Sequence, residues 1–482
     1  MGADVKSAFI HEWATSLLTA VLMKQTRLST IRGKPFFYIF CEFVSDNLSN
    51  ESRSCGVAVN LKRRRRVQVM IIKGVKVFSA DGCSAIKDIT IDESVISCRV
   101  RQIADGDFCV FPGFTDVHVH FREPGFSYKE TIGSGRAAAA RGGFTQVMTM
   151  PNLNPVPDSR EHLDRQLELI GDSDREVGII PYGSITVGEC GRELSDMDGM
   201  AKDVCAFSDD GKGVSDPGMM RAAMVKAKAL GKLIAAHCED MALVNGGCIH
   251  DGSFARENGL PGICSESEWA PIARDVALAA ETGCSYHVCH VSTKESVEII
   301  RKAKRDGVDI TCETAPHYLT MTQDDLKDEG RFKMNPPLRD VADRDALIEG
   351  IKDGTVDMIA TDHAPHSDEE KSKGLLKSAM GVVGLETSFP IMYTELVRKG
   401  VIELSDIVRL MSTAPRKRFG LADEPDSYSL WDLSAEYEID PKDFATKGRS
   451  TPFAGKRVFG KCLLTVKNGR AIYVAPELCE NA

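Results

Sequence analysis

A (β/α)₈ barrel, an α/β fold, is what this sequence predicts, and three observations predict it. Eight short apolar, often β-branched runs recur in series from Phe114 onward, and segments of helical spacing lie between them. Histidines, aspartates and an asparagine gather where the runs end, as catalytic groups do at the C-terminal ends of barrel strands.

The runs are Phe114–His120, Thr145–Met150, Val177–Gly183, Val204–Ser208, Leu233–His237, Tyr286–Val291, Asp309–Glu313 and Val356–Thr361. Met219–Leu230 and Ser296–Arg305, rich in Ala, Lys, Met and Ile, read as crossover helices between them. Outside this series, Ile71–Val110 and about 423–474 are strand-rich and punctuated by turns. Leu464-Thr465-Val466-Lys467-Asn468-Gly469 ends on an Asn-Gly hairpin signal.

Composition bounds the function. The 482 residues are 43% hydrophobic and 27% charged, with mean hydropathy −0.17, the profile of a soluble globular protein. A net charge of −10 and a pI near 5.7 argue against nucleic acid as a partner, since such binding draws on Lys and Arg. The charge divides unevenly: the first 69 residues carry eleven basic against five acidic side chains, including the Lys62–Arg66 run, and the rest is more acidic still at −16. The apolar stretch Ala14–Met23 is too short to cross a bilayer, so no membrane association is expected. Fifteen dispersed cysteines without a CxxC pair read as reduced, mostly buried thiols of a cytoplasmic protein. Walker A, GxGxxG, GxSxG and HExxH motifs are absent.

The run ends offer a metal constellation. His118 and His120 are two apart, and a strand's period of two turns both imidazoles to one side. Asn152 follows the second run, Asp209 and Asp210 follow the fourth, and His237 ends the fifth. His287 and His290, three apart, face opposite ways, and His290 is chosen as nearer the C-terminal end. Asp362 follows the eighth run, His363 should point elsewhere, and His366 lies beyond Pro365 in a loop able to curl over the site. Imidazoles and carboxylates without thiolates suit Zn²⁺, and equally Mn²⁺, Co²⁺ or Fe²⁺. Cys238 and Cys289 read as packing. Arg122 falls on the mouth-facing side, with a planar fork suited to a carboxylate.

These segments, in order, resemble the cyclic amidohydrolases and specifically the bacterial dihydroorotases. They are Asp116-Val117-His118-Val119-His120-Phe121-Arg122-Glu123-Pro124-Gly125, Met150-Pro151-Asn152, Ser208-Asp209-Asp210-Gly211, Ala236-His237-Cys238-Glu239-Asp240, His287-Val288-Cys289-His290-Val291-Ser292, Lys333-Met334-Asn335-Pro336-Pro337-Leu338-Arg339 and Thr361-Asp362-His363-Ala364-Pro365-His366. The resemblance runs from about Met70 to the C-terminus. It implies two metals, Zn²⁺ by preference, one held by His118, His120 and Asp362 and the other by His237 and His290. Most relatives bridge the pair with a carbamylated lysine; here Asp210 stands in that place, and Lys212 is set aside as a loop residue.

It further implies that metal-activated hydroxide opens the ring of dihydroorotate, or in reverse that N-carbamoyl-L-aspartate cyclises in de novo pyrimidine synthesis, with Asp362 as general base and then acid. Arg122, Asn152 and His366 are implied to hold the substrate carboxylate and Asn335 the ring, with the Met380-Gly381 loop adding backbone contacts. A homodimer and an association with aspartate transcarbamoylase are further implied partners. Residues 70–112 and 423–482 are expected to form a small β-sandwich domain from both chain ends, beside a barrel at 113–422. Residues 1–69 match nothing in the family, and a mis-assigned start or a dispensable extension is expected ahead of a targeting leader.

Two other readings compete. Allantoinases and hydantoinases share the barrel and metals, but Arg122, the Asn152 loop and the lack of a well-placed lysine stand against them. A non-catalytic partner of aspartate transcarbamoylase would have lost metal ligands, whereas every ligand position here is filled.

Overall fold

The computed structural model describes residues 69–92, 95–96, 106–171 and 176–479, and the expectations for the N-terminal extension fall outside them. The chain enters through β1 (Val69–Phe78), β2 (Ser84–Asp92) and β3 (Phe108–Pro112). Gly113 alone separates β3 from β4 (Phe114–Val119), and a Cβ there would sit 2.3 Å from Thr145 Oγ1, so only glycine lets the two segments pass this closely.

Barrel strands follow in order: β5 (Phe144–Thr149), β6 (Gly178–Pro181) and β7 (Ile234–Ala236). After the small pair β8 (Ile249–His250) and β9 (Gly262–Ile263) come β10 (Tyr286–Val288), β11 (Ile310–Thr314) and β12 (Met358–Ile359). β4, β5 and β6 pair in parallel, as do β7, β10, β11 and β12. The predicted fourth run is reduced to bridges from Phe207 to Gly183 and to Ile234, yet it keeps its place through Cys205 N–Pro181 O and Ala235 N–Phe207 O bonds of 2.9 Å each. Regular strand stops there because Asp209 takes the N–H groups of Ile185 and Thr186 at 2.8 and 3.0 Å. A parallel bridge from His363 to Val119 closes the ring.

Apolar side chains line both faces of this ring, which is why its strands read as continuous hydrophobic runs rather than alternating ones. Val117, Met148, Tyr182, Ala206, Ala235 and Met358 cluster together, while Val147, Ile234 and Val288 join a larger core with helix residues such as Met224 and Ile300. The helix Pro217–Ala229 starts where Asp216 caps the Met219 N–H at 2.6 Å and proline occupies the first turn. The helix Lys294–Arg305 is capped by Thr293 and buries Val297, Ile300 and Ala303 at a spacing of three.

Beyond the barrel, β13 (Tyr428–Glu438), β14 (Arg457–Lys467) and β15 (Arg470–Val474) join β1–β3 in one six-stranded sheet, ordered β15-β14-β13-β3-β1-β2. The Asn468-Gly469 turn between β14 and β15 has φ of 49° and 74°, as an Asn-Gly hairpin requires. The described cysteines are free thiols except Cys479, which is disulfide-bonded and departs from the expectation of reduced thiols throughout. Among the described residues no helix is long and apolar enough to cross a membrane.

Candidate metal centre

The predicted ligands lie at the C-terminal ends of the barrel strands, His118 and His120 at the end of β4 and the others beyond later strands, and the structure brings them to one point. His118 Nε2 and His120 Nε2 lie 3.6 and 3.1 Å from Asp362 Oδ1. Across the site, His237 Nδ1 and His290 Nε2 are 2.9 Å apart. Asp210 sits among all four histidines. Its Oδ1 is 3.3 Å from His118 and 3.7 Å from both His237 and His290, and its Oδ2 is 3.6 Å from His120.

The outer hydrogen bonds settle which nitrogen faces inward. His118 Nδ1 donates to Glu313 Oε1 at 2.7 Å and His120 Nδ1 to Asn152 Oδ1 at 2.8 Å, which turns both Nε2 atoms to the carboxylates. His237 Nε2 donates to Glu239 Oε2 at 3.2 Å, so its Nδ1 faces His290. Asn335 Nδ2 in turn donates to Glu239 Oε1 at 2.9 Å.

Backbone conformation aims three of these side chains. Arg122, His290 and Asp362 have φ of 61°, 36° and 46°, a region that costs a residue with a side chain about 1–3 kcal/mol and that clusters at functional sites. His290 therefore enters the site from a left-handed turn beyond β10 rather than by strand alternation. His287 stays within β10, donating from Nε2 to Glu313 Oε2 at 3.0 Å.

The donor set fits a divalent cation. His118 Nε2 and Asp210 Oδ1 are fully buried and have no hydrogen-bond partner, an arrangement that costs about 1–3 kcal/mol per group unless something satisfies it. Burial pushes the Asp210 carboxyl up, but His118 beside it prevails and holds it well below the usual carboxylate range. Burial likewise disfavours charge on His118, while Asp210 and Glu313 draw positive charge to it and raise it well above an ordinary histidine. That demand is met by a proton on Nε2 or by a metal ion in its place. Cys289 also lies near His118 and Glu313, but burial pushes its thiol up to about 12, so it offers no thiolate and packs as expected. Lys212 points away, its ammonium donating to Gly188 O at 3.2 Å.

The remaining predicted residues form one wall. Arg122 is buried and donates from Nε to Pro365 O at 3.2 Å. His366 Nε2 donates to Met380 O at 2.7 Å, and burial together with Arg122 and Lys129 pushes its pKa down to about 3, so the ring is neutral. Asn152 also donates to Asp210 Oδ2 at 3.1 Å, which makes it a tie between two ligands. His363 is buried away from the site, 3.5 Å from Glu130.

Sequence reasoning missed Glu313, Glu239 and His317. Glu313 is an acidic residue inside a buried strand, a signal that was available; Glu239 stands two residues past His237. His317 is buried with an unpartnered Nε2 and is pushed down to about 4 by burial, which keeps it neutral near Asp362 and His290.

Comparison with known proteins bears on these residues. A family model described as "Dihydro-orotase-like" matches residues 108–296. A protein of Fusobacterium nucleatum named dihydroorotase is 49% identical over 397 residues, 81% of this chain and 91% of that protein. Another of Geobacillus thermodenitrificans, named likewise, is 49% identical over 390 residues, 79% of this chain and 91% of that one. Among solved structures, the L-hydantoinase (dihydropyrimidinase) from Arthrobacter aurescens has a TM-score of 0.71 at 25% identity, covering 85% of this chain and 96% of its own. A dihydropyrimidinase from Brevibacillus agri, with a TM-score of 0.68 at 20% identity, shares the fold.

Proposed function

The chain belongs to the dihydroorotase family of metal-dependent cyclic amidohydrolases, and from that premise we propose that it interconverts dihydroorotate and N-carbamoyl-L-aspartate in de novo pyrimidine biosynthesis. The observation that carries this reading is Asp210, whose two oxygens lie within 3.3–3.7 Å of all four histidines.

His118, His120 and Asp362 would hold one ion, His237 and His290 the other, and Asp210 would touch both, with Zn²⁺ proposed from the family resemblance and Mn²⁺, Co²⁺ or Fe²⁺ suited by the same donors. Such ions, when bound, supply the Lewis acidity that lowers the pKa of water and polarises a carbonyl. Asp362 moves the proton: its carboxylate accepts from the attacking water and returns the proton to the leaving ring nitrogen, with the reverse order for cyclisation. Burial raises this carboxyl, but His120 and the neighbouring histidines outweigh that and keep it below its ordinary range, so it is ionised at neutral pH. Arg122, Asn152 and His366 bind the substrate carboxylate, Arg122 through its planar guanidinium, and Asn335 meets the ring.

The same reading takes 113–422 as the catalytic barrel, 70–112 and 423–482 as the small β-domain and 1–69 as dispensable, in a cytoplasmic homodimer able to associate with aspartate transcarbamoylase. Turnover assays on dihydroorotate, allantoin and hydantoin test it. Dihydroorotate should be the preferred substrate by far, and turnover of allantoin or hydantoin alone would overturn the proposal.

A further inference from the structure

Two connections flank the wall that carries His366: the loop bearing Asn335, after β11, and the Met380-Gly381 loop, after β12. They meet at one side chain. Lys371, at the end of the short helix Asp368–Lys371, is 8% exposed and sends its ammonium to three backbone oxygens. These are Lys333 O at 2.9 Å, Ala379 O at 2.8 Å and Gly381 O at 2.7 Å. An ammonium has three N–H donors, and all three are used. No surface lysine has this character. Burying the ammonium is costly, and here it is offset by carbonyl dipoles drawn from two different loops.

Both loops continue directly to the substrate wall. Lys333 lies two residues before Asn335, and its carbonyl also accepts the Gly381 N–H at 3.1 Å. Met380, between two of the bound carbonyls, accepts from His366 Nε2. Gly381 has φ of 132°, and a Cβ on it would lie 3.0 Å from His366 Nε2 and 2.8 Å from Ala364 Cβ, so the loop is pressed against the imidazole. The place of His366 therefore depends on where the Met380-Gly381 loop is held.

We propose that Lys371 is a positioning residue for the substrate, its ammonium strapping the Met380-Gly381 loop to the loop that bears Asn335 so that His366 is held facing the pocket. The proposal rests on the reading that places His366 in the substrate pocket. A planar guanidinium cannot direct donors at three converging carbonyls, and a thioether has none to direct.

Steady-state kinetics with dihydroorotate on Lys371→Met, Lys371→Arg, His366→Ala and the Lys371→Met/His366→Ala pair test it, with metal content and Tm measured alongside. Lys371→Met should raise KM about tenfold or more, a larger change than any fall in kcat, with metal content unchanged. Lys371→Arg should raise KM by a smaller factor. In the His366→Ala background the Lys371→Met effect should shrink to under about twofold, because the strap acts through that imidazole. A lowered Tm with wild-type KM in Lys371→Met, or KM effects that multiply in the pair, would overturn the proposal. If Lys371→Met does not fold, a wild-type KM in Lys371→Arg overturns it equally. If His366→Ala itself leaves KM unchanged, the pocket assignment falls and the strap with it; if His366→Ala raises KM and neither Lys371 variant does, the strap alone falls.

Discussion

Glu313 Oε1 and His118 Nδ1 are 2.7 Å apart in a wholly buried pair at the base of the metal centre, and the other carboxylate oxygen holds His287 at 3.0 Å. A glutamine amide, with one acceptor oxygen, cannot serve both imidazole donors. Loss of such an outer partner typically weakens metal binding about 10–100-fold. Glu313→Gln is expected to fall in that range when bound metal is titrated against a chelator, and wild-type affinity would show that His118 needs no such anchor.

Asp362 combines a left-handed backbone, φ 46°, with a carboxyl 3.1 Å from His120. Replacing it with asparagine keeps the shape and removes the proton carrier. We expect kcat for dihydroorotate to drop by roughly 10²–10⁴ while KM changes little, since the carboxylate-binding wall is untouched. Near-normal kcat in Asp362→Asn would assign the proton transfer elsewhere.

Much of this architecture was legible because its signals are local. Eight apolar runs gave the ring, and polar residues at their ends gave every ligand candidate, since a parallel barrel must bury both faces of its strands and expose its chemistry at one rim. The reason for His290 was not legible. Alternation by two separates His287 from His290, yet both converge on the same region, because His290 is delivered by a φ of 36° that no periodicity records. Glu313 showed itself only as an acidic residue in a buried run; its partner His118, 195 positions away, and the three carbonyls that meet at Lys371 are set side by side only by the folded chain.

Asp210 and Lys212 are two residues apart in sequence and opposite in placement. Asp210 is buried among the histidines, whereas the Lys212 side chain is 53% exposed and bonded to Gly188 O. Asp210→Ala should therefore lower the metal retained after dialysis and the rate with it. Lys212→Ala should keep both within about twofold, as surface changes usually do. The reverse result, measured as metal per chain, would make the lysine the bridge.

The Arg122 guanidinium is buried, with its Nε–H donated to Pro365 O at 3.2 Å, and the proposed function gives its in-plane N–H fork to the substrate carboxylate. Truncating one partner of a buried charge pair costs about 2 kcal/mol or more, equivalent to roughly 30-fold. Arg122→Met should raise KM for dihydroorotate by at least that factor and leave metal content unchanged. An unaltered KM would remove Arg122 from the substrate wall.

Glu386, away from the metal centre, gives a stability prediction with a definite sign. Its side chain is 4% exposed and accepts the N–H groups of Ala445 and Thr446, and burial outweighs these bonds to push its carboxyl up to about 7. In the unfolded chain the group titrates near 4.5. Between these values the folded protein binds the extra proton, so the stability this group contributes is full below about pH 4.5 and is lost as pH rises through 7. The loss is on the order of 3 kcal/mol. Glu386→Gln keeps the acceptor and removes the titration. Its Tm relative to the wild-type chain should therefore climb from pH 5 to pH 8. A difference that stays flat across that range would mean the carboxyl is already ionised in the folded state, held so by Arg141 at 3.4 Å.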